Sequence, residues 1–420
     1  MTKLYGQGSA DRPLEESQVS SILEEGLGGY DLKGEKILVL TPDATRTAPL
    51  PLMIRELIRI IGPRAARLDF MVALGTHPPL ERKEILELYG IEAKEAEGPL
   101  SGIGFLNHRW DLEETLTHLG RLEAGEIEEQ TKGLFSQAVE VVINRAVFDY
   151  DRIIVLGPVF PHEVAGFSGG EKYLFPGISG GEFLHLFHWI GAVVTCWKTI
   201  GFKETPVRRL ISRAAAMLPM ERICVSMVVR SKTELAGLYV GPTEESWSAA
   251  ADLSRKLHVV YTGRSYETVL GVAGDQYTEL WVAGKVMYKL EPVVAQGGRL
   301  IIYGPHITRV SDVWGEMIER IGYHTRDYFL GRLDRFADVP LGVLAHSTHV
   351  KGLGTFVDDR EEPRIQVILA TSIPEEVCQR INLGYLDPAG IDLEEYRNRQ
   401  EEGVLFVDQA GEVLHRVEPE

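Results

Sequence analysis

An α/β fold with mostly parallel sheets is what this sequence predicts, and three observations predict it. Short β-branched runs alternate with helical stretches. The runs are too apolar for strands with one wet face, as parallel strands covered on both sides are. Several of them lead into turns that carry an Arg or a His, where open α/β sheets place their ligands.

The elements follow in order. Residues 36–40 (Lys-Ile-Leu-Val-Leu) read as a buried strand, and residues 51–61 as an amphipathic helix. Residues 68–74 give the next strand and residues 80–88 the next helix. Residues 152–156 form a third strand, and residues 182–190 are helical. Residues 222–229 and 299–303 are further strands. The acidic stretch 123–133 is expected to be an exposed connection, and residues 261–265 a loop at a break in the chain. Residues 403–408 read as a late strand, followed by a Gln409-Ala410-Gly411 turn.

Composition sets the outer bounds. The chain has 420 residues, enough for two or three domains at roughly 150 residues each. Hydrophobic residues are 44% and charged residues 25%, which excludes a mainly disordered or fibrous protein. The formal net charge is −17, so the surface repels phosphate backbones and nucleic acid is not expected as a partner. An anionic substrate therefore needs a local cationic pocket. Cys196, Cys224 and Cys378 are far apart, which argues against disulfides or a thiolate zinc site. The first residues carry no apolar leader and no run spans a bilayer, so a cytoplasmic protein without membrane contact is expected.

The candidate functional residues sit at strand ends. Asp43-Ala44-Thr45-Arg46 follows the first strand, Gly75-Thr76-His77 the second, and His162 lies just past the third. His306 follows the strand near residue 300. Together they predict one cleft lined with polar groups; taken singly, each reads more readily as an ordinary surface turn. The stretch 162–177 is rich in glycine and places Lys172 just after Ser168-Gly169-Gly170. Glycines let backbone N–H groups approach an anion, so this is a candidate phosphate loop, although the Walker A spacing is absent. His185 and His188 share a helix face, either as metal ligands or as packing against Phe187 and Trp189.

In this order the motifs Asp43-x-Thr45-Arg46, Gly75-Thr76-His77, His162-x3-Gly166-Phe167-Ser168-Gly169-Gly170-x-Lys172 and His188 resemble the nickel-pincer lactate racemases and their 2-hydroxyacid racemase and epimerase relatives. The resemblance runs from about residue 36 to 200. It implies two α/β domains with the active site in the cleft between them. Residues 1–262 would hold the cofactor and residues 266–402 would close on the substrate, with the tail 403–420 returning to the first domain. It also implies a pyridinium-3-thioamide-5-thiocarboxylic acid mononucleotide bound covalently to Lys172, with nickel held by that group and by His188. Asp43, Thr45, Ser168, Gly169 and Gly170 would line the cofactor. Proteins that make the group and insert the nickel would be partners, and a chain produced alone would lack it.

The resemblance further assigns His77 and His162 as the acid–base pair and Arg46 as the carboxylate clamp. A hydride route suits a 2-hydroxyacid, whose carboxylate acidifies C2 poorly, and an electrophilic cofactor supplies the acceptor. Lys285 matches a substrate-binding lysine. Three residues before it stands Val282 where the family carries Gln, which points to a 2-hydroxyacid other than lactate. His306 and the stretch His346-Ser347-Thr348-His349-Val350-Lys351 are candidates for reading further hydroxyls; the stretch is equally a polar surface loop. Two other readings remain open. One is a zinc hydrolase built on His77, His162, His185 and His188, and the other a non-catalytic binder of a phosphorylated small molecule. His108, His118, His258, His324 and His415 are expected to be structural.

Overall fold

The computed structural model describes residues 3–418. The first two residues of the stretch read for a leader, and the last two of the tail, lie outside it. Two open sheets dominate. The first is built from β1 (Tyr5–Gly8), β2 (Lys36–Thr41), β3 (Arg67–Val72), β4 (Gly104–Asn107), β5 (Arg152–Pro158), β6 (Glu221–Val229) and β7 (Leu235–Gly241), in the order β1-β7-β6-β5-β2-β3-β4. Strands β6, β5, β2, β3 and β4 are parallel, and β7 and β1 close one edge in antiparallel fashion. Helices cover both faces, so every residue of β5 is buried and only the first of β2 and β3 is exposed.

Helix α1 (Glu16–Gly28) and α2 (Leu50–Ile61) lie on this sheet. In α2, Leu50, Met53, Ile54, Leu57 and Ile61 form one buried stripe at helical spacing. Helix α3 (Arg82–Tyr89) ends at Gly90, whose positive φ of 64° terminates the helix in the left-handed region. Helix α4 (Gly181–Val194) is mostly buried, with Glu182, His185 and His188 along one side. Phe183 stacks on Phe187 at 4.0 Å and meets Phe175 at 5.3 Å. Helices α5 (Pro206–Ala215) and α6 (Thr243–His258) follow.

The second sheet contains β8 (Tyr266–Ala273), β9 (Val294–Gly304), β10 (Gln366–Thr371), β11 (Gly384–Tyr385) and β12 (Val404–Ala410). All are parallel, in the order β11-β10-β9-β8-β12. Helix α7 (Leu280–Leu290) follows β8, and α8 (Leu341–Lys351) packs against α4 and α7. The tail uses both halves of the molecule. β12 pairs with β8, whereas Leu414–Arg416 pairs in parallel with Val259–Tyr261, the last strand before the second sheet begins.

Two expectations change. The acidic stretch near residue 123 is not simply an exposed connection. Glu123 and Glu126 form a reciprocal capping box that starts a helix, Ala124–Gln130, and Ile127 is buried beneath it. The stretch 346–351 is not a surface loop. It lies in α8, where Ser347, Thr348 and His349 are buried, and the Ser347 hydroxyl donates to Gly322 O at 2.8 Å.

Candidate active site

The strand order of the first sheet reverses between β2 and β5, and the loops after these two strands carry most of the candidate residues. After β2, the Asp43 carboxylate accepts hydrogen bonds from Thr45 N at 3.1 Å and Thr45 Oγ1 at 2.6 Å. It also meets His77 Nδ1 at 2.5 Å. Burial works to raise the Asp43 pKa, but the hydrogen bond and charge of His77 and the charge of Arg46 outweigh it and hold the carboxyl at about 2. An ionised Asp43 must accept, so the Nδ1 proton of His77 is fixed and its Nε2 lone pair is left for chemistry. The His77 ring is half-exposed, and Trp110 Nε1 donates to its carbonyl at 2.8 Å.

After β5, His162 is buried and set the other way. Its Nδ1 accepts from Val164 N at 3.1 Å, which places the proton of the neutral ring on Nε2. Burial pushes its pKa well below the ordinary value. The Glu163 carboxylate, 3.4 Å from Nδ1, opposes this, and the charges of Lys172 and Arg46 add to it. The two histidines are thus held in opposite tautomers, His77 as an acceptor and His162 as a donor.

Lys172 lies on a short 3-10 turn, Gly170–Tyr173. Its amine makes no hydrogen bond or ion pair among the described residues. Burial, together with the charge of Arg46 and against that of Glu163, lowers its pKa to about 7. A large fraction is therefore neutral and nucleophilic near neutral pH. His188 donates from Nδ1 to Leu184 O at 2.8 Å, leaving its Nε2 lone pair, and burial lowers its pKa to about 4. Arg46 lies over the Phe160 ring at 5.5 Å. Arg46 and Lys172 act on His162, and Arg46 and Asp43 act on Lys172, so these residues form one electrostatic cluster.

The glycine loop has a packing role that its composition does not reveal. Gly169 has φ 81° and Gly170 φ 59°. A Cβ on Gly170 would sit 3.1 Å from Trp247 Cγ, and one on Gly169 would sit 2.7 Å from Val159 Cγ2. The Ser168 hydroxyl is spent within the loop, donating to Pro158 O at 2.8 Å and accepting from Phe160 N at 3.1 Å. Beneath the loop lies Arg208, buried, donating to the carbonyls of Gly169 and Phe167 and stacked over Trp247 at 4.1 Å.

The second sheet adds Lys285 on α7, which shares the field of Arg46, Asp43 and Glu163. His306 is exposed in the turn after β9, and among the described residues no hydrogen bond or ion pair joins it to the cluster. His185 stands apart too, its Nδ1 buried and unpartnered and its ring edge-on to Trp314 at 6.2 Å. Among the described residues no three His, Cys, Asp or Glu side chains gather to hold a metal, so the four-histidine zinc set does not form. His108 is structural, bonded to Ser179 O at 2.9 Å and Asn144 Nδ2 at 3.1 Å. Three residues of the site carried no motif. Glu163 adjoins His162, Lys289 lies one helical turn beyond Lys285, and Arg208 is distant in sequence.

A pincer nucleotide on Lys172 fits this donor set. The amine is unpaired and weakly basic, His188 Nε2 is a free neutral donor, and the Arg46 guanidinium stands in the same cluster.

Residues 7–198 match the family model described as the lactate racemase N-terminal domain. The lactate racemase of Lactiplantibacillus plantarum is 24% identical over 309 residues, 71% of this chain and 66% of that protein. That of Thermoanaerobacterium thermosaccharolyticum is 25% identical over 242 residues, 55% of this chain and 52% of that protein. These alignments thus span less than two thirds of the curated relatives. A crystal structure of a Thermotoga maritima protein superposes with a TM-score of 0.85 at 34% identity, covering 97% of this chain and 99% of that one. The lactate racemase apoprotein of T. thermosaccharolyticum superposes with a TM-score of 0.76 at 18% identity, covering 96% and 93%. The protein is of the two-sheet α/β class with its polar cluster at the strand-order reversal. Its N-terminal part matches the lactate racemase N-terminal domain, and the chain resembles lactate racemases in sequence and fold. No helix among the described residues is long and apolar enough to cross a membrane.

Proposed function

We propose that this protein inverts C2 of a 2-hydroxyacid by reversible hydride transfer, using a nickel-pincer pyridinium mononucleotide tethered to Lys172. The observation that carries this reading is the Lys172 amine, unpaired among the described residues and lowered to about 7, within one electrostatic cluster with Arg46 and His162. When bound, the group supplies a hydride acceptor and a nickel centre that His188 Nε2 can ligate.

The chain's own residues supply the rest. Arg46 grips the carboxylate through its planar fork and fixes the orientation of C2. His77 Nε2, with Nδ1 locked on Asp43, takes the hydroxyl proton of one enantiomer. His162 presents an Nε2 proton to the other face, where the returning alkoxide needs one. The substrate passes through a planar 2-keto acid, so the faces are equivalent except for which histidine they meet. In the reverse direction the two histidines exchange roles. The buried His162 presents its side of the site with little access to water.

The test is the mass of the intact chain after co-production with cofactor-making proteins. An adduct that maps to Lys172 is expected, and the same adduct on Lys172→Ala would refute the tether. With the loaded chain in deuterated water, inversion with little deuterium at C2 is expected. Full exchange there would refute hydride return.

A further inference from the structure

The C-terminal turn carries a carboxylate into the field of the cations that would hold the substrate. After β12 the chain turns through Gly411 and Glu412 before Leu414–Arg416. Three contacts fix this turn. Tyr277 donates its phenol to Glu412 Oε1. Lys289 Nζ donates to Glu412 O at 3.1 Å and to Pro161 O, next to His162, at 2.8 Å. Gly411 has φ 109°, and a Cβ there would lie 2.7 Å from the Tyr277 ring and hydroxyl.

The position is one where ligands are expected. The second sheet reverses its strand order between β8 and β12. Tyr277 follows the first of these strands and Glu412 the second. The same rule selects β2 and β5 in the first sheet, where Arg46 and His162 lie. The Lys289 bridge brings the two crevices together. Lys285, whose Nζ stands 5.3 Å over the Tyr277 ring, and Arg46 both act on the Glu412 carboxylate. Glu412 is solvent-exposed, so its side of the crevice is open, and Oε2 accepts no hydrogen bond among the described residues.

We propose that Glu412 is a specificity-determining residue of the substrate site, selecting monoanionic 2-hydroxyacids that carry a hydroxyl beyond C2 and rejecting dicarboxylates. This rests on the 2-hydroxyacid reading above. Its negative charge stands in the field of Lys285, Lys289 and Arg46, so a second substrate carboxylate placed beside it meets a like charge. Its open oxygen accepts from a distal hydroxyl, which an alkyl group does not replace.

Calorimetry with glycerate, lactate and malate tests this, on the chain as purified and on the loaded chain. The wild type is expected to bind glycerate about tenfold more tightly than malate, and more tightly than lactate. In Glu412→Gln, which keeps the shape and an acceptor for Tyr277, the malate-to-glycerate affinity ratio should rise about tenfold. Gly411→Ala, which displaces the turn, should lower the preference for glycerate over lactate. Circular dichroism confirms the fold of each variant. Unchanged ratios in both variants would overturn the proposal, as would a wild type that binds malate as well as glycerate or binds none of the three. An absent Lys172 adduct with the ratios shifted as expected would instead remove the cofactor reading and leave the selectivity role standing.

Discussion

Lys289 donates to the carbonyl of Pro161 at 2.8 Å, joining α7 of the second lobe to the residue before His162 in the first. The ammonium is buried, and burial, opposed by Glu412 and Glu163, lowers its pKa to about 8. Lys289→Met keeps the stem and removes both carbonyl contacts. A loss of about 1–3 kcal/mol in urea unfolding is expected, the cost of leaving buried acceptors unpaired. A variant as stable as the wild type would show that the bridge holds nothing.

Asp43 sets both a tautomer and a pH dependence. Its folded pKa of about 2 lies below the ordinary 3.8. A depressed carboxylate stabilises the fold above its unfolded pKa and loses that contribution as pH falls through the folded one. The stability gap between wild type and Asp43→Asn should therefore be on the order of 2 kcal/mol above pH 5 and close between about pH 4 and 2. In the loaded enzyme the same substitution should lower kcat by about 10²–10⁴, because Nδ1 of His77 is no longer held as a donor. Chemical denaturation across pH and steady-state kinetics read the two effects separately.

Lys172 should be the most reactive lysine of the unloaded chain. With a pKa of about 7 it acylates at neutral pH, where ordinary lysines are protonated. Brief acetic anhydride treatment at pH 7 followed by peptide mapping should find Lys172 modified first. The sign for stability is the reverse of that for Asp43. The folded state holds this proton more weakly than the unfolded one, so Lys172→Met should stabilise the apo chain near neutral pH. That advantage should shrink as pH rises from about 7 towards 10.5.

Gly170→Ala tests the packing role of the glycine loop. Both the left-handed φ of 59° and the 3.1 Å approach to Trp247 Cγ oppose a side chain. A destabilisation of about 1–3 kcal/mol, with a shift in tryptophan emission, is expected. An unperturbed melt would mean that Trp247 yields freely.

The parallel strands and the residues just beyond them were legible in the sequence because both are local. A buried strand is a continuous apolar run, and Asp43, Arg46, His77, His162 and Lys172 sit within a few residues of such runs or in one glycine-rich block. What stayed hidden depends on tertiary pairing. Glu412, Lys289 and Arg208 reach the site from distant segments. The helix at Leu341–Lys351 lacks a polar stripe because it is enclosed by α4 and α7, so its buried Ser347, Thr348 and His349 read as loop chemistry. Ser168 carried the right motif, yet its hydroxyl serves the loop itself. His306 had the right position relative to its strand, but it lies exposed, without a bond to the cluster.

The parallel pairing of Val259–Tyr261 with Leu414–Arg416 means that the chain passes between the halves twice, at neighbouring points. That ladder ties the two crossings to each other, and the packing of α8 on α4 and the bond from Lys289 to Pro161 fasten the halves at separate places.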